Sequence, residues 1–68
     1  MDQETFNLSI RKFLKMVGVQ SQREIETAVE RAMASGKLKG NEALPAKMTL
    51  TVGGVALEVS FDGKIALE

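Results

Sequence analysis

"VGVQSQREIE", residues 17–26, is the stretch on which the fold of the N-terminal half turns. Read locally, it closes one helix and opens another. Gly18 suits the left-handed residue that ends a helix, with Val19 folding back onto the last turn. Ser21 followed by Glu24 has the form of a capping box, the hydroxyl accepting an amide proton inside the helix and the carboxylate reaching back. The spacing therefore predicts a helix up to Val17, a loop of about three residues and a second helix from Ser21, a helical hairpin.

Upstream, Phe6, Ile10, Phe13, Leu14 and Val17 recur with the 3.6-residue period of one helix face. Asp2 is the expected N-cap, and Glu4 suits the positive end of the helix dipole. Arg11, Lys12 and Lys15 fall off the apolar stripe, and Leu8 lies opposite its centre. An isolated exposed leucine is ordinary; the sharper reading makes Leu8 a contact for a partner. Downstream, Ile25, Ala28, Val29, Ala32 and Met33 form a narrower stripe that Gly36 ends.

A turn with Gly18, Val19 and Ser21 also has the outline of a DNA-binding helix-turn-helix. Three features oppose that reading. Phe13 and Leu14 occupy the crossing, where a small residue is usual. The second helix offers Gln22 and Arg23 but then Glu24, Glu26 and Glu30, which would face phosphate. No further helix precedes the pair to brace it. The stretch is a corner in this reading.

"KLKGNEALPA", residues 37–46, carries the Gly40-Asn41 pair and the only proline, Pro45, and reads as a linker. The period then falls from 3.6 to 2. In "KMTLTVGGVALEVSFDGKIALE", residues 47–68, Met48, Leu50 and Val52 alternate with Lys47, Thr49 and Thr51. A two-residue turn at Gly53-Gly54 pairs Val52 with Val55, Leu50 with Leu57 and Met48 with Val59, all on one face. A bulged turn over Phe61-Asp62-Gly63 then pairs Val59 with Ile65 and Leu57 with Leu67. The expected fold is α+β, ααβββ: two N-terminal helices (1–36) packed on a three-stranded antiparallel meander (47–68), one domain over residues 1–68. Its last strand, "KIALE", is an unshielded edge of the kind through which symmetric dimers form. Ile65 and Leu67 join Leu8 as candidate partner contacts.

A chain of this size buries a modest share of its surface. It has neither cysteine nor histidine, so no disulfide and no zinc or iron–sulfur site is available as a staple. Close packing or self-association remains, and a homodimer through the C-terminal edge strand is preferred here to a monomer. Residues 1–40 hold seven Lys/Arg against five Asp/Glu and residues 41–68 two against four, so the net charge is zero and each half departs from neutrality only mildly. That balance argues against bulk electrostatic attraction to nucleic acid. No apolar run approaches the roughly 20 residues of a membrane span, and no signal peptide opens the chain. A soluble, cytoplasmic protein is expected.

The chemical inventory is equally restrictive. Without His, Cys, Tyr or Trp the usual base, thiol nucleophile and phenolic acid are missing. Ser9, Ser35 and Ser60 have no base nearby in sequence. Glu24, Glu26, Glu30, Glu58 and Asp62 read as surface charge, and no calcium-loop or phosphate-loop spacing occurs. We expect no enzyme and no cofactor. Arg11, Lys12, Lys15, Lys37 and Lys39 could form a basic patch, the basis of an alternative reading as a weak nucleic-acid binder. Base-stacking aromatics are missing from it, so a solvated face is the better account.

Over nearly its whole length the chain resembles a family of short bacterial proteins, about seventy residues long, of unknown function. The likeness is carried by "FNLSIRKFLK" (6–15), "VGVQSQREIE" (17–26), "GKLKGNE" (36–42) and "GKIALE" (63–68). The resemblance implies a free-standing soluble bacterial protein, with no activity, ligand or catalytic residue attached. The functional expectation is a non-catalytic protein-interaction module that self-associates, its other partners unknown.

Overall fold

A computed structural model describes all residues 1–68. The chain is α+β, but with one helix where two were expected and two strands where three were expected. Helix α1 runs without interruption over Gln3–Ala34, and strands β1 (Ala43–Val52) and β2 (Leu57–Ala66) form an antiparallel hairpin. The chain divides into two units, Met1–Lys37 and Leu38–Glu68, each described by itself.

In the first unit, both ends of α1 follow from the sequence. The Asp2 carboxylate accepts the Glu4 and Thr5 backbone N–H groups at 3.0 and 3.3 Å and the Thr5 hydroxyl at 3.0 Å. Those bonds satisfy amides that the first helical turn leaves without carbonyl partners. At the other end Gly36 adopts φ +80°. Its N–H reaches the Met33 carbonyl at 3.1 Å while that of Lys37 reaches Ala32 at 2.9 Å, the paired bonds of a Schellman stop.

The expected corner at residues 17–26 does not form. Gly18 is helical and has no positive φ. A glycine inside a helix costs only about 1 kcal/mol relative to alanine. Ending one helix and starting another would instead strip several N–H and C=O groups of their partners at each new terminus. The side-chain phase also favours continuity. Val17, Ser21 and Ile25 stand at i, i+4 and i+8, so the two stripes are one stripe. Ser21 lies on it, half-buried, rather than capping a new helix.

The hairpin unit corrects the meander. Its register pairs Val52 with Leu57, Leu50 with Val59, Met48 with Phe61, Ala46 with Gly63 and Leu44 with Ile65. All ten residues share one face, because directly opposed residues in an antiparallel ladder point the same way. The other face carries Pro45 opposite Lys64, Lys47 opposite Asp62, Thr49 opposite Ser60 and Thr51 opposite Glu58. Gly53-Gly54 is not a two-residue turn. The loop is Gly53-Gly54-Val55-Ala56, with Gly54 at φ +89° and Ala56 at φ +53°.

Physically, this register slides the expected pairing by two residues, which keeps the same side chains on the apolar face. It gains opposite charges at Lys47 and Asp62 and a hydroxyl pair at Thr49 and Ser60, whose oxygens are 3.0 Å apart. Phe61-Asp62-Gly63 therefore lies inside β2 and makes no turn. The segment "KIALE" is no third strand either; Lys64–Ala66 ends β2, paired with Ala43–Pro45. β1 begins at Ala43 and takes in Pro45. A proline is tolerated because a two-stranded sheet is all edge, and its missing N–H need not face the ladder.

Candidate interaction surfaces

The first candidate surface is the stripe of α1. Phe6, Ile10, Phe13 and Ile25 are exposed, Phe6 to 46 % and Phe13 to 45 %, while Val17, Ser21 and Ala32 along the same line are half-buried. The second is the apolar face of the hairpin. Leu44, Ala46, Leu50 and Ile65 are half-buried on it, whereas Met48, Val52, Leu57, Val59 and Phe61 are exposed, Phe61 to 57 %. No side chain of either unit is buried. Helical stability in proteins comes mostly from packing an amphipathic face, and a lone two-stranded hairpin is marginal in water.

One polar site has a defined geometry. The Glu42 carboxylate accepts the Lys39 N–H at 2.9 and 3.2 Å and the Gly40 N–H at 2.9 Å, folding the segment before β1 into a closed loop in which Gly40 takes φ +104°. The Glu42 carbonyl accepts the Leu67 N–H at 2.9 Å and extends the ladder by one bond beyond β2. The Lys39 and Gly40 amides hold the Glu42 carboxyl below its ordinary range, as Thr5 and then Glu4 do for Asp2. This site anchors the loop; with its accepting oxygens already engaged, it has the form of a structural clasp.

The residues singled out in the sequence fall as follows. Leu8 is 53 % exposed, on the side of α1 opposite the stripe. Ile65 faces Leu44 across the ladder, and Leu67 follows β2, half-buried. Arg11, Lys12 and Lys15 are exposed on α1 within an arc of about 100°. Lys37 supplies the last amide of the helix stop and ends the first unit, whereas Lys39 belongs to the second. The basic residues shown together are thus Arg11, Lys12 and Lys15. No three acidic side chains group in a way that could hold a metal ion, and no helix is long and apolar enough to cross a membrane.

Sequence reasoning missed Ala46, Phe61 and Gly63 as members of the apolar face and Glu42 as the clasp. The signal for Ala46 was present: Leu44, Ala46, Met48, Leu50 and Val52 keep one alternation straight through Pro45. Phe61 was hidden by the Asp62-Gly63 turn signal beside it.

The model of a family of unknown function, DUF6494, matches residues 1–68. The chain belongs to DUF6494. The match spans the whole sequence, both the helical unit and the hairpin. No curated protein and no solved structure matches the chain.

Proposed function

We propose that this DUF6494 protein is a non-catalytic interaction module that self-associates. The observation that carries the reading is the combination of two amphipathic units with no buried side chain in either. A folded chain gains most of its stabilisation by taking apolar area out of water, about 25 cal/mol per Å². Here Phe6, Ile10, Phe13, Met48, Val59 and Phe61 all keep large exposed areas. Binding a second surface would complete the core that each unit leaves open. The absence of His, Cys, Tyr and Trp supports the non-catalytic half of the reading.

Sedimentation equilibrium, together with thermal melts over a hundredfold range of protein concentration, tests this. Self-association predicts a mass above that of one chain and a melting temperature that rises with concentration, since mass action stabilises the assembled state. A cooperative melt independent of concentration, with the mass of one chain throughout, would overturn it.

A further inference from the structure

We infer that α1 is the self-association surface and that it pairs antiparallel with α1 of a second copy, about a two-fold axis level with Val19. The inference rests on the self-association proposed above and names its surface, orientation and register.

Taken at one residue per turn, the stripe of α1 runs Phe6, Ile10, Phe13, Val17, Ser21, Ile25, Ala28, Ala32, with Leu14, Val29 and Met33 beside it, and the intervals of this central line read the same from either end. Pairing two such helices antiparallel about the level of Val19 sets Phe6 against Ala32 of the second copy. Ile10 meets Ala28, Phe13 meets Ile25, and Val17 meets Ser21. A two-fold interface requires this self-complementarity, since each contact must occur twice with the roles exchanged. The stripe advances one step in about 3.7 residues, slightly more than the 3.6 of a straight helix, so from Phe6 to Ala32 it drifts by about 80° around α1 and the pair would wind with a shallow right-handed twist.

Side-chain size selects the orientation. Phe6, Ile10 and Phe13 lie in the first half of the stripe, and the second half is small apart from Ile25: Ser21, Ala28 and Ala32. Antiparallel pairing therefore joins large with small in the outer layers, which fill at nearly even helix separation. Parallel pairing would stack Phe6 on Phe6 and Phe13 on Phe13 at one end, and alanine on alanine at the other, so that one end is held apart while the other leaves voids.

The distribution of charge along α1 leans weakly the same way. Residues 8–14 contain Arg11 and Lys12 and no acid, while residues 24–30 contain Glu24, Glu26 and Glu30 and no base. The axis at Val19 lays each segment beside the other of the second copy, and parallel pairing would lay each beside its own kind. Only Arg11 and Glu24 border the seam; Lys12, Glu26 and Glu30 lie on the side of α1 away from it, so these charges act at a distance through water and contribute little. The antiparallel helix dipoles favour the same arrangement.

The area suffices. A helix of 32 residues is about 48 Å long and, with its side chains, about 10 Å wide. The flat footprint is thus about 480 Å² on each copy, and ridged side chains enlarge it. The pair thereby reaches the total of about 1,000 Å² that a specific interface has to clear.

A cysteine-free chain makes the test direct. Two single variants, Val17→Cys and Ser21→Cys, are near-isosteric changes beside the axis. Each is oxidised alone and after refolding with the other, and covalent dimers are resolved by mass spectrometry, with the native mass measured in parallel. The expected result is a Val17→Cys to Ser21→Cys disulfide in the mixture, forming at least tenfold faster than a covalent dimer of either variant alone. Like positions in the antiparallel pair are offset by about 6 Å along the axis in addition to the lateral gap, beyond the usual Cα separation of a disulfide. Each variant cross-linking alone as fast as the mixture would show parallel pairing and overturn the inference. A native dimer with no covalent product in any sample would overturn it too, while leaving self-association standing through another face such as the hairpin. The mass of one chain at every concentration removes both.

Discussion

Met48 of β1 lies directly opposite Phe61 of β2, on the apolar face of the hairpin. The pairing places Phe61 in the ladder instead of in a turn, and it has an energetic signature. Cross-strand neighbours on one face interact by about 0.2–1 kcal/mol, and a thioether beside an aromatic ring belongs to the favourable kind. A double-mutant cycle with Met48→Ala and Phe61→Ala is expected to give a coupling of about 0.5 kcal/mol in chemical denaturation. Additive effects within error would remove Phe61 from its place opposite Met48.

Gly18 and Gly36 have the same local sequence logic but opposite conformations, which makes them a matched pair for testing the continuity of α1. An added Cβ at Gly18 meets nothing within 4 Å, and the residue is helical, so Gly18→Ala is expected to stabilise the protein by about 1 kcal/mol. Gly36 also has open space around it but holds φ +80°. There Gly36→Ala is expected to destabilise by about 1 kcal/mol, since an L side chain is strained in that region. Thermal unfolding of both variants measures the two signs. Destabilisation by Gly18→Ala would restore the corner.

The same contrast explains what was legible in the sequence and what was not. The Asp2 cap and the Gly36 stop were readable because the apolar stripe begins after one and ends before the other. Gly18 and Ser21 offered equally good residue types, yet the stripe passes through them in phase, from Val17 to Ser21 to Ile25. Capping chemistry marks where a helix can end; the phase of the stripe decides whether it does. The hairpin repeats this logic. Gly53-Gly54 and Asp62-Gly63 are both strong turn signals, and alternation alone does not separate registers that differ by two residues. Cross-strand partners do: Lys47 with Asp62 and Thr49 with Ser60 belong to the longer hairpin. The candidate surfaces were partly legible for the same reason. Stripe and alternation showed which side chains share a face, whereas Leu8 and the basic residues of α1 were marked only as lying off the stripe and acquired no defined partner.

Ala56 holds φ +53° in the hairpin loop, the one non-glycine residue of the chain with positive φ. The left-handed region costs an L residue about 1–2 kcal/mol, part of which glycine recovers while losing more chain entropy on folding. Ala56→Gly is therefore expected to stabilise the hairpin by about 0.5–1 kcal/mol, read as a higher denaturation midpoint with an unchanged slope. A loss of stability would mean that a two-residue turn at Gly53-Gly54 closes the hairpin after all.

Glu42 supplies a pH dependence whose sign follows from its bonds. The Lys39 and then the Gly40 amide donate to its carboxylate and lower its pKa on folding. A carboxyl whose folded pKa is depressed stabilises the fold above its ordinary range, and that contribution is lost as the pH falls through the lower folded value. Asp2 titrates with the same sign through its bonds to Thr5 and Glu4. In an acid NMR titration the Lys39 and Gly40 amide protons are expected to move together, with a midpoint below that of an unperturbed glutamate. Glu42→Gln keeps one acceptor oxygen and the shape of the side chain but abolishes that transition. It is also expected to speed hydrogen exchange at Lys39 and Gly40 while leaving the α1 amides unchanged. Amide shifts that follow an ordinary glutamate midpoint, or that persist in Glu42→Gln, would show that the clasp does not hold this loop in solution.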